Sequence, residues 1–264
     1  MSDTASPVLF ERKGTRATIT INRPEQRNAL SNEVLAQLRA FVAQVKADPA
    51  VRVLVLAGAG DRAFCAGGDL RQMGETPPDA FESHQGRSNL AGLFRDLWEL
   101  GKPTVARVQG YALAGGFGLA SACDFIVASD KALFGIPEVT FGLWPYMISV
   151  PLMHAMPPKV ALRYMMTGER ISAQKGVELG FVTELAPHDQ LDEVLDAFVQ
   201  QLAQGSPQAM ALGRTSFYAV MHHDMDARLR MLEALLTVSL GMPDAVEGMT
   251  AMTEKRPPAW RNPE

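Results

Sequence analysis

Two cysteines in 264 residues, Cys65 and Cys123, are too few for a disulfide framework and fit a reducing compartment. No apolar run reaches the roughly 18–20 residues that a membrane helix needs. Basic residues do not outnumber acidic ones: 25 Lys and Arg stand against 29 Asp and Glu, for a net charge of −4. That balance, with a pI near 5.8, speaks against a nucleic-acid surface as the main partner. The N-terminal stretch MSDTASPVLFERKG has no basic segment leading into an apolar one and is not Arg-rich, so a cytoplasmic protein is expected. Nucleotide signatures are missing as well. There is no GxGxxG, and Gly110 followed by Gly115 lacks the Lys-Ser/Thr of a phosphate loop. GxSxG is absent, and His84, His154, His188, His222 and His223 show no HExxH or Cys/His spacing, so no metal site is expected. His222-His223 reads as a surface pair. The chain carries no internal repeat and no low-complexity block.

What is present is an ordinary globular composition, 47% apolar and 20% charged, long enough for a substantial core. Residues 16–22, RATITIN, alternate as a half-buried strand and run into a turn at Arg23-Pro24-Glu25. Ser31 is placed to cap a helix whose apolar positions share one face and which Asp48-Pro49 ends. The β-branched run 51–56 predicts a strand buried on both faces. A Gly-rich turn over 57–68, a helix around residues 90–100, a strand over 104–108, a helix from Ser172 to Gly180 and a strand over 181–185 continue an α/β pattern. The polar, proline-containing segment 71–89 is expected to be a surface loop. Beyond about residue 190 only helical stripes follow, with starts near 191, 207, 225 and 244. Their methionine- and leucine-rich faces exceed what a peripheral tail needs and suggest packing on neighbouring subunits.

Chemistry is concentrated in residues 107–141, RVQGYALAGGFGLASACDFIVASDKALFGIPEVTF. A strand leads into a glycine-rich turn and a short helix starting near Gly115 and Gly116, then a second strand and a loop carrying Glu138. A matching turn, FCAGGD, lies at residues 64–69. Backbone N–H groups from two such turns could converge on one oxygen as an oxyanion hole. The alternative is two structural turns. Asp69 suits a helix cap better than a catalytic acid. Glu138 stands in an apolar run, where desolvation raises proton affinity and favours a general acid or base. Its alternative is a structural carboxylate bound to backbone donors.

INRPEQRNALS, RAFCAGGDL, KPTVARVQGYALAGGFGLASACDFIVAS and ALFGIPEVTFGLWP, in this order and spacing, resemble the enoyl-CoA hydratase/isomerase (crotonase) superfamily from about residue 8 to the EKRPPAW tail. The resemblance implies an α/β fold, a spiral of ββα units over residues 1–195 that holds the acyl-CoA site. It also implies a C-terminal helical region over 196–264 that builds a homotrimer or a dimer of trimers. An acyl-CoA thioester is the implied substrate, with coenzyme A part of the substrate and no separate cofactor. No nucleic-acid or membrane partner is implied. Gly68 and Gly115 match the donors to the thioester oxygen, and Glu138 matches the proton-transfer group. The implied substrate-facing set is Arg27, Ala29, Ala63, Cys65, Ala66, Asp69, Leu70, Gly118, Trp144 and Tyr146, with Lys255 and Trp260 from the tail.

One departure bears on the reaction. Family hydratases carry a second glutamate on the helix after the Gly115 turn, and that position is Gly118 here. A single carboxylate can shift a proton, as Δ3-Δ2 enoyl-CoA isomerases do, so Gly118 moves weight from hydration toward isomerisation without excluding hydration. A substrate carboxylate or Tyr146 could supply the missing function, and a glutamate installed at Gly118 is expected to confer or increase hydration. The segment Leu143-Trp144-Pro145-Tyr146 departs too, its rings either reshaping the acyl pocket or packing in the core. Decarboxylation and thioester hydrolysis are minor options. A chain that only binds acyl-CoA or RNA, without catalysis, is the alternative from another class.

Overall fold

The computed structural model describes residues 6–69, 80–221 and 223–261. Val8–Lys13 (β1) and Arg16–Ile21 (β2) pair antiparallel across a turn at Gly14, whose φ of 58° suits glycine. Asn32–Ala47 (α1) starts where the Ser31 hydroxyl accepts the Val34 N–H at 3.2 Å, the predicted cap, and ends at Asp48. Val53–Gly58 (β3) is buried throughout. Its alternate residues explain the pattern: Leu54 and Leu56 enter the main core, while Val53 and Val55 face a second apolar cluster on the other side of the sheet.

Ala63–Cys65 (β4) interrupts the turn expected over 57–68. Ala80–Trp98 (α2) follows, so residues 80–89 of the expected loop are helix instead. Their polarity hid this, because the turns of α2 that carry the apolar Leu93, Phe94 and Leu97 come later in the helix. Residues 71–79 of that loop, and Leu70, lie outside the described residues, as does His222 of the histidine pair.

Thr104–Val108 (β5), Tyr111–Leu113 (β6) and Gly115–Ala122 (α3) form the next unit, then Phe125–Ser129 (β7), Leu133–Gly135 (β8), a 3₁₀ turn at Pro137–Phe141, and Ser149–Ala155 (α4). Pro158–Thr167 (α5), Arg170–Ser172 (β9), Ala173–Leu179 (α6) and Glu184–Ala186 (β10) complete the α/β part. Ser172 caps α6 and Gly180 ends it at φ 86°, as the sequence indicates. Two sheets result, one ordered β1-β2-β3-β5-β7-β10 and the other β4-β6-β8-β9. Each pair β3-β4, β5-β6 and β7-β8 places one strand in each sheet, and β5-β6 and β7-β8 each lie parallel to the pair before them. This is the expected spiral of ββα units.

Leu191–Ala203 (α7) lays Leu191, Leu195 and Val199 on Val53, Val55, Val105 and Val127 of the large sheet. The division expected at 195/196 therefore falls inside a helix that belongs to the core. Pro207–Val220 (α8), Met225–Leu240 (α9) and Pro243–Glu254 (α10) follow. Helix α8 is tied to the core at Asp124, whose side chain and that of Arg214 are only 10% and 8% exposed. Arg214 Nε donates to both carboxylate oxygens at 2.9 and 2.7 Å, and its Nη groups donate to the Trp98 and Leu97 carbonyls at the end of α2. The Tyr218 hydroxyl donates to the same carboxylate at 2.6 Å, and Thr104 donates to it from both its N–H and its hydroxyl. Neither α8 nor α9 has a fully buried residue, and on α9 Met225, Leu229, Leu236 and Val238 are well exposed. No described helix is long and apolar enough to cross a membrane.

Candidate active site

The site is built where the C-terminal ends of β4, β6 and β8 come together. Their parallel pairing sets Leu113 opposite Gly135, and the Ala114 N–H donates to the Gly135 carbonyl at 2.9 Å. The turn after β4, the start of α3 and the 3₁₀ turn after β8 are thereby neighbours.

The first turn is held by the segment 22–30. Arg27 and Asn28 both adopt left-handed φ, 53° and 56°. That bend turns the wholly buried Asn28 side chain inward, where its Oδ1 accepts the Arg23 N–H and its Nδ2 donates to the Ala59 and Ala63 carbonyls. Buried Gln109 adds bonds to the carbonyls of Gly58, Gly60 and Ala63, each at 2.9 Å. Downstream, the Ala66 N–H donates to Arg27, the Leu30 N–H to Gly67, and the Asp69 N–H to Leu30. In this parallel bridge the bonds use Gly67 and Asp69, so the exposed Gly68 presents its own N–H on the other side. Asp69 is an ion-pair partner of Arg23 at 3.0 Å, and Arg23 also donates to the Ala29 carbonyl at 2.8 Å. Asp69 thus braces the turn.

The second donor comes from the first turn of α3, where N–H groups have no partner within the helix. Ala114 precedes it at φ 49°, ψ −125°, a conformation costly for any residue with a Cβ. Gly116 is required by packing, since a Cβ there would lie 2.7 Å from the Cys65 carbonyl carbon. The two turns touch: a Cβ built on Gly115 would lie 3.7 Å from the Gly68 nitrogen, and one on Gly67 would lie 3.2 Å from the Gly115 nitrogen. Gly67→Ala is expected to fail on two counts, because φ is +98° and the new carbon would lie 2.8 Å from the Ala114 Cβ. Overpacking alone costs roughly 1–3 kcal/mol. Thermal melting should show this loss together with a turnover deficit, whereas an unchanged melting temperature would mean that the two turns are not in contact.

Glu138 is the first residue after Pro137 in the 3₁₀ turn. It is half-buried, and its Oε2 is enclosed with no hydrogen-bond partner among the described residues. Burial, opposed by a backbone hydrogen bond, raises its pKa above the ordinary glutamate value of 4.5. Gly118 lies one turn into α3, directly against Ile148 at the start of α4. Trp144 packs against the core, whereas Tyr146 is 76% exposed. Buried Cys65 has its pKa pushed up to about 12 by desolvation and is inert as a nucleophile at neutral pH.

A cavity of about 300 Å³ on the outer face of the small sheet is lined by Arg27, Arg62, Tyr111, Leu113, Leu133 and Arg170. Of these only Arg27 was singled out from sequence. Arg170 reaches the cavity because β9 pairs antiparallel with β8, a long-range fact that no local motif records. Ala63 at the start of β4 is buried, Ala66 in the turn after it is half-buried, and Ala29 in the segment 22–30 is buried. Lys255 is the left-handed cap of α10, and the Trp260 ring packs over Gly248 while its indole N–H donates to the Gln204 carbonyl. Neither lines the cavity.

Comparison with known proteins puts this geometry in context. The sequence profile described as enoyl-CoA hydratase/isomerase matches residues 11–263. The (E)-benzylidenesuccinyl-CoA hydratase of Thauera aromatica is 33% identical over 262 residues, covering 97% of this chain and 99% of that protein. Carnitinyl-CoA dehydratase of Proteus mirabilis is 32% identical over 256 residues, covering 94% of this chain and 96% of that protein. The crystal structure of an enoyl-CoA hydratase from Mycobacterium smegmatis superposes with a TM-score of 0.92 at 31% identity, over 98% of this chain and all of that one.

Proposed function

Because the chain belongs to the enoyl-CoA hydratase/isomerase family, we propose that it acts on an enoyl-CoA thioester, with Gly68 and Gly115 binding the thioester oxygen and Glu138 moving the proton. The observation that carries this is a desolvated carboxylate, with one enclosed oxygen lacking a hydrogen-bond partner among the described residues, on the turn next to two touching backbone-donor turns. Removing a proton from the α or γ carbon sends electron density to the thioester oxygen, where donors aimed at the developing charge lower the barrier. Returning the proton to the other carbon shifts the double bond. A carboxylate whose pKa is raised toward neutrality is matched to both halves of that exchange.

Coenzyme A would enter with its phosphates toward Arg27, Arg62 and Arg170, whose forked donors suit phosphate oxygens, and its pantetheine along Ala29, Ala63 and Ala66. Hydration is the second reading, supported by relatives named as a hydratase and a dehydratase. It would require a second proton-handling group such as Tyr146 or a carboxylate on the substrate. The apolar residues left exposed on α9 support self-association into a trimer, which the mass in solution would test.

The deciding experiment incubates the protein with 2-enoyl- and 3-enoyl-CoA substrates of varied chain and charge, with identification of products. A shifted double bond supports the proton-transfer reading, and a 3-hydroxyacyl-CoA supports hydration. Binding without turnover across the whole panel would leave a protein that only holds acyl-CoA.

A further inference from the structure

We propose that Ile148 is a specificity-determining residue: by filling the space beside Gly118 it confines the site to one-carboxylate chemistry. The inference rests on the reading of Glu138 as the group that moves a proton at an acyl thioester. Hydration makes a heavier demand. The water oxygen bonds to the β carbon and gives up a proton, a proton is delivered to the α carbon, and the π bond between them breaks. Two acid–base groups can orient the water and divide these transfers, whereas one must do both in turn.

The helix position facing that task is closed. A side chain at Gly118 would begin 2.7 Å from the Ile148 Cβ and nearer still to its Cγ2, but 3.4 Å from its Cα. The obstruction starts at the root of a β-branched side chain, so no rotamer change relieves it. Ile148 is only 3% exposed, belongs to the main core and opens α4, where its carbonyl accepts the Leu152 N–H at 3.1 Å. It cannot retreat without moving that helix. The sequence-based expectation that glutamate at Gly118 alone would suffice is therefore revised: Ile148 has to yield first, and since its Cβ is part of the obstruction, glycine is the replacement required.

The test compares the native protein with Gly118→Glu, Ile148→Gly and the double variant. Melting temperature, hydration of a 2-enoyl-CoA and deuterium uptake from heavy water by the acyl-CoA are followed in each. Gly118→Glu alone should melt several degrees lower. In the double variant the glutamate should refill the space, so that the combined loss is smaller than the sum of the two single losses, and hydration should rise about 10²-fold over the native protein. Strictly additive melting losses overturn the packing claim, and a folded double variant that hydrates no faster than the native protein overturns the specificity claim. Should the glutamate variants fail to fold, Gly118→Ala poses the same steric question. It should lower the melting temperature in the native background and leave it unchanged in Ile148→Gly, and equal losses in both overturn the proposal. Absence of deuterium uptake in the native protein would overturn the assignment of Glu138, and the melting cycle judges Ile148 separately.

Discussion

Glu138→Gln should cut exchange between solvent deuterium and the α or γ carbon of a bound enoyl-CoA by roughly 10³-fold, within the range that a positioned acid or base supplies. Binding of coenzyme A should stay within a fewfold of native, because the arginine-lined cavity does not include this residue. The rate in the native protein should also rise with pH through an apparent pKa above the ordinary 4.5, since the active base is the carboxylate and desolvation raises its pKa. Stability should respond in the opposite sense. A carboxyl that holds its proton more tightly folded than unfolded is most stabilising at pH below its ordinary pKa, and that contribution is lost as pH rises through the raised value. The glutamine variant escapes this loss, so it should melt no lower than the native protein at neutral pH. Undiminished deuterium uptake in Glu138→Gln would remove the residue from the mechanism.

Asp124→Ala should produce the largest loss of stability. It leaves the Arg214 guanidinium, 8% exposed, without its anion, and strips acceptors from Tyr218 and Thr104. Removing one partner of a buried pair costs about 3–5 kcal/mol. For a chain of this size that corresponds to a fall in melting temperature of roughly 10 °C. The loss should be accompanied by faster proteolysis around α8, because Arg214 connects that helix to Asp124 and to the end of α2. Replacing Asp124 and Arg214 together with apolar residues of similar volume should recover much of the loss. A single-variant loss under about 1 kcal/mol would show that α8 is held by other contacts.

Much of this architecture could be read locally. The caps at Ser31 and Ser172, the stop at Gly180 and the apolar stripe of α7 are near-neighbour patterns, and each element formed where its pattern lies. Strands β6, β8 and β9, by contrast, are three residues long, too short for a period of two to register. Helix α2 begins in polar sequence before its apolar positions recur. At the candidate site, the glycines and Glu138 stood out because backbone donors and a lone carboxylate in an apolar run are visible one segment at a time. Arg62, Arg170 and Gln109 carry no such mark. They matter through what they face across the fold.

The sequence by itself determined the α/β pattern of its longer elements, the family, and the glycines and lone carboxylate offered as candidate site residues, since each depends on the chemistry of short contiguous motifs. Tertiary structure alone decided that Ile148 closes the space at Gly118, that three arginines share one cavity, and that Asp124 anchors a helix 90 residues away. The reason is physical. Close packing and buried charge pairing depend on which atoms meet, and residues distant in the chain meet only once the ββα spiral has closed.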